Sequence, residues 1–156
     1  KEAFATYLSN RPNATPAQVR DAIETDRYYR IPAIRLAEAQ RPWSDRVYMY
    51  RFSWRSPGLV EGGIGACHTL EIPFVFDKLD TRLSTLLCGE APPPDLAATM
   101  HRSWIEFARH GEPGHPDLPD WGTYDLETRA TMEFNVQSRL IDDPSDEERI
   151  LWDGIR

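Results

Sequence analysis

Val47-Tyr48-Met49-Tyr50-Arg51-Phe52-Ser53-Trp54 constrains this fold more than any other stretch. It is aromatic, β-favouring and nearly continuous in apolar character at first, the pattern of a strand covered on both faces. Such a strand needs neighbours along its edges. The sequence offers one other convincing strand, Arg129 to Asn135, in which Ala130, Met132 and Phe134 alternate onto one face. Two strands do not make an independently stable sheet. Either helices smother a small sheet, or further strands come from another part of the same protein.

The helical signals are stronger. Thr15-Pro16-Ala17-Gln18 reads as a helix start, with Thr15 as cap, Pro16 in the first turn and Gln18 closing a capping box. Val19, Ala22 and Ile23 continue it at helical spacing. A second helix is expected from about Asp26 to Gln40, with Pro32 kinking it or marking its true start. After the stiff Ala91–Pro94 connection, Asp95 is expected to cap a helix. Its buried stripe is Leu96, Met100, Trp104 and Phe107, and Gly111 and Pro113 stop it. Ser145 and Glu148 suggest a capping box for a last helix that packs through Ile150, Leu151 and Trp152. The expected organisation is one segment, 1–156: a helical pair (1–42), a strand with a histidine loop and short helix (43–90), then a helix, a last strand and a terminal helix (91–156).

A net charge of -7, with Lys1 and Lys78 the only lysines, argues against a nucleic-acid surface. No apolar run is long enough for a membrane span. Cys67 and Cys88 are too few for a disulfide framework and read as free thiols. The N-terminus, without an initiator Met or a signal-like apolar stretch, reads as though cut from a longer chain. Localisation is left unassigned, since any signal would lie upstream.

The candidate chemistry lies in Gly65-Ala66-Cys67-His68-Thr69-Leu70-Glu71-Ile72-Pro73-Phe74-Val75-Phe76. An imidazole can take and return a proton near neutral pH, as acyl transfer requires. It needs a nucleophile within reach and an acid to fix its tautomer. No G-x-S-x-G elbow or oxyanion glycine motif is present. Pattern alone leaves His68 open as a base or as a structural histidine beside glycines. Glu71 shares its face if the segment is helical. His101, His110 and His115 read as surface residues. With no H-E-x-x-H or C-x-x-C, no metal or other cofactor is expected.

This run resembles the histidine motif of the type-B carboxylesterases, the cholinesterase and para-nitrobenzyl esterase family: a glycine, two residues, a histidine, two residues, a glutamate and an apolar Phe-Val-Phe ending. Pro32 to Gln40, Val47 to Trp54, Trp104 to Pro113, Pro119 to Tyr124 and Arg129 to Phe134 are similar to family segments in the same order. The resemblance implies the C-terminal portion of an α/β-hydrolase fold, helix-rich with two or three strands of the central sheet. It implies His68 as the triad histidine of a serine carboxylesterase acting on small ester substrates. Glu71 would support the histidine, and Ile64 and Phe74 would form pocket wall. The serine and the triad Glu or Asp would lie in an N-terminal part of the same protein, leaving this chain inactive alone. The alternative is a non-catalytic interaction domain of the adhesion type on the same fold.

Overall fold

The computed structural model describes residues 2–57 and 65–155. Helix α1 (Glu2–Ser9) leads into α2 (Pro16–Thr25), a π-helical turn (Asp26–Arg30) and α3 (Ile31–Gln40). Strand β1 (Met49–Phe52) follows, then α4 (Ile72–Val75), α5 (Arg82–Cys88) and α6 (Pro94–His110). The hairpin β2 (Thr131–Phe134) and β3 (Arg139–Ile141) precedes α7 (Asp146–Ile150).

The expected capping box forms at α2: the Thr15 hydroxyl accepts from the Gln18 amide, and Gln18 Oε1 accepts from the Thr15 amide at 2.8 Å. The helix expected over 26–40 is continuous but changes register. Pro32 has no amide hydrogen to give the carbonyl four residues back, and its ring crowds that carbonyl. The wider π turn immediately before it accommodates both problems. Two capping expectations are corrected. Asp95 lies inside the first turn of α6, whose cap position is Pro93, so its charge faces the helix dipole without capping. Ser145 makes no side-chain cap, and Glu148 is diverted into a buried ion pair with Arg11. Helices α1 and α5 and strand β3 were not among the expected elements.

β1 pairs in parallel with β2, Met49 opposite Thr131 and Phe52 opposite Phe134. β2 pairs antiparallel with β3. The order β1-β2-β3 puts β2 in the middle, and all four of its residues are buried. The main core gathers Trp54, Leu70, Phe74, Leu96, Met100, Trp121, Met132 and Phe134 between the sheet and α6. Among the described residues, no helix is long and apolar enough to cross a membrane.

Candidate active site

The histidine turn leads into α4, which packs against α6. The described part of the turn begins at Gly65, with φ +64°, where a side chain would be strained and would meet the Arg55 guanidinium at 3.4 Å. The chain then turns over Cys67–Leu70, with the Leu70 amide donating to the Cys67 carbonyl at 3.1 Å. Thr69 sits inside that turn at φ +74°. A β-branched residue there is strained by about 1–3 kcal/mol. Leu70 and Phe74, both buried, anchor the turn in the core.

His68 projects from this turn and is exposed. Among the described residues no hydrogen bond or ion pair engages its ring. The ring stacks on Tyr29 of the π turn, at 4.5 Å between centroids and 30° between planes. Both rings line an open groove of about 1000 Å³, walled also by Leu36, Met49, Phe52 and Glu71. Glu71 is half-buried and makes no hydrogen bond to His68. Its carboxylate faces Tyr50, whose phenol is pushed up first by burial and then by Glu71. Phe74 is fully buried and does not line the groove. It packs at 5.2 Å on Phe52, which does. Ile64 lies outside the described residues.

Of the other histidines, only His110 is the surface residue expected; His101 and His115 are not. His110 is exposed and pairs with Glu106 at 3.0 Å. His101 is partly buried, its Nδ1 hydrogen-bonded to the Val75 carbonyl at 2.8 Å, which ties α6 to α4. His115 is no surface residue: its side chain is 1% exposed. Its Nε2 lies 3.1 Å from Ser103 Oγ, and Asp117 stands on its other side. This imitates a Ser-His-Asp arrangement but cannot act as one. Nδ1 accepts the Asp117 amide, so the neutral ring carries its proton on Nε2 and donates it toward Ser103 and the Thr99 carbonyl. A base needs the opposite tautomer, and Ser103 is wholly buried. The contact fastens the loop after α6 to that helix. Cys67 and Cys88 are free thiols, and burial pushes Cys88 up. No group of three or more candidate metal ligands occurs among the described residues.

Sequence reasoning missed Tyr29. The available signal was Asp-Arg-Tyr-Tyr-Arg, in which an acid and an arginine four apart flank two tyrosines. The ion pair goes inward, leaving the tyrosines outward.

The carboxylesterase family model matches residues 1–152. The chain belongs to the carboxylesterase family. Para-nitrobenzyl esterase of Bacillus subtilis is 32% identical over 160 residues, covering 95% of this chain and 31% of that protein. Phenmedipham hydrolase of Pseudarthrobacter oxydans is 33% identical over 135 residues, covering 83% and 27%. A solved carboxylesterase of Geobacillus stearothermophilus superposes with a TM-score of 0.80 at 34% identity, covering 97% of this chain and 32% of the other. The sheet and its helices are thus part of an α/β-hydrolase fold. The chain spans under a third of the length of these relatives.

Proposed function

We propose that this carboxylesterase segment supplies the general base of a serine esterase, and that His68 is that base. The observation that carries this reading is the exposed imidazole on a strained turn, facing a large groove, with its nitrogens unengaged among the described residues. A structural histidine is ordinarily satisfied, as His115 is here. Backbone strain beside a reactive side chain is a recurring mark of functional sites.

The chemistry runs in two steps. His68 takes the proton of a serine hydroxyl as its oxygen adds to the ester carbonyl, then gives that proton to the leaving alcohol. In the second step His68 takes a proton from water, whose oxygen adds to the acyl-enzyme, and returns it to the serine as the acid departs. The serine and the acid orienting the imidazole come from the N-terminal part of the complete protein. Glu71, on the groove beside His68, acts through its charge on the surrounding polar groups. Phe74 acts indirectly, holding Phe52 against the groove.

The test uses a short-chain p-nitrophenyl ester. The 156-residue chain alone is expected to give no turnover above buffer. The complete protein is expected to hydrolyse it and to lose about 10³-fold or more in kcat on His68→Ala. Turnover by the chain alone that disappears with His68→Ala places the nucleophile inside these residues and defeats the two-part reading. A complete protein with no turnover at all favours the interaction-domain alternative.

A further inference from the structure

We propose that Tyr29 is a positioning residue for His68, a π platform that fixes the orientation of the imidazole. The inference rests on His68 being the base, but the contact that carries it is independent of that reading.

Tyr29 is held by its own turn. On the inner side of Asp26–Arg30, Arg30 clamps buried Asp26 with two hydrogen bonds of 2.6 Å, from Nε to Oδ1 and from Nη2 to Oδ2. Arg30 also donates to the Pro144 carbonyl at 3.0 Å. The Tyr7 hydroxyl donates to Asp26 and accepts the Trp152 indole N–H at 2.8 Å. These contacts fix the turn to α1 and to the chain around α7. A fixed turn can hold a half-exposed ring in one place, where a mobile surface tyrosine could not. The π register adds one residue to the turn and places the 29 side chain over the histidine loop.

The stack has two consequences. It removes freedom from an imidazole that lacks other ring partners among the described residues. It also sets the electron-rich face of a phenol against a ring that becomes cationic each time it accepts the serine proton. Both nitrogens stay in the imidazole plane, free of the stack, for the serine and for the orienting acid. The platform therefore orients His68 without competing for its hydrogen bonds.

Two measurements test the proposal. In the 156-residue chain, the His68 ring protons are followed by NMR against pH. Tyr29→Leu is expected to move them downfield at every pH, through loss of ring-current shielding. Tyr29→Phe keeps the ring and is expected to keep the His68 shifts, and unchanged His115 signals certify the fold. Identical His68 signals in all three proteins overturn the contact. In the complete protein, Tyr29→Leu is expected to lower kcat roughly tenfold with KM little changed, with rescue by Tyr29→Phe. An unchanged kcat overturns the positioning role, while loss of activity on His68→Ala leaves the base reading intact. Activity surviving His68→Ala defeats the base reading and the catalytic part of this proposal, and leaves the NMR result to judge the contact.

Discussion

At the scale of single residues, the histidine loop trades local strain against anchoring. Thr69 is held at positive φ because Leu70 and Phe74 are locked in the core on one side, and buried Gly65 lies under Arg55 on the other. Phe74 touches both Phe52 and Trp54, at 5.2 and 5.1 Å between ring centroids. Phe74→Ala is expected to cost about 3–5 kcal/mol, read as a shift in the urea midpoint at constant slope. A loss under about 1 kcal/mol would mean that the aromatic cluster collapses to fill the space. The spacing of Gly65, His68, Glu71 and the Phe-Val-Phe ending was visible in the sequence because a family motif fixes it. Tyr29 was not, because its partner lies 39 positions on and only the π turn brings them together. The burial of His115 was equally hidden. A histidine in a Pro-Gly loop carries no periodic signal, and what buries it is a tertiary contact with α6.

At the scale of elements, local capping rules held where nothing competed and failed where a charge found a better partner. Thr15 and Gln18 are exposed, so their box forms undisturbed. Glu148 could not cap because Arg11 pairs with it in a buried setting, with Arg11 Nη2 at 3.0 Å from Oε2. Strand β2 shows the same override. Its alternation suggested one buried face, yet Glu133 is buried as well, between Arg51 of β1 and Arg139 of β3. Burial works to raise the Glu133 carboxyl, but hydrogen bonds from Arg139 at 2.7 Å and from Arg51 outweigh it, and the carboxyl lies below its usual range. A carboxyl lowered on folding stabilises fully above its unfolded pKa, about 4.3, and that stability is lost as pH falls through the folded value. Wild type is therefore expected to lose stability between about pH 5 and pH 3 more steeply than Glu133→Gln. At pH 7 the variant is expected to be about 1–3 kcal/mol less stable, because one carboxylate no longer serves two cross-strand arginines. Urea midpoints at pH 7, 5 and 3 decide it, and parallel pH curves for the two proteins would remove Glu133 from the account.

At the scale of the whole molecule, the strand that most constrained the sequence reading remains incompletely covered. The Ser53 amide donates to the Phe134 carbonyl at 2.9 Å, so this side of the β1 segment faces β2. Successive amides of a strand point to opposite edges, which turns Phe52 and Tyr50 toward the other side. With β1 at the end of the sheet order, no strand among the described residues meets those amides, and Tyr50 and Phe52 both line the open groove. The shortage of strands was legible because an aromatic segment needs paired edges. Which edge would stay open was not, since that depends on pairing with residues some 80 positions away. The resulting prediction concerns hydrogen exchange. In the 156-residue chain, the Ser53 amide is expected to exchange slowly, and the Tyr50 and Phe52 amides at close to unstructured rates. In the complete protein, a further strand joined along this edge is expected to protect all three. Equal protection of Phe52 and Ser53 in the short chain would mean that its edge is already paired, and the groove beside His68 would then be closed along that side.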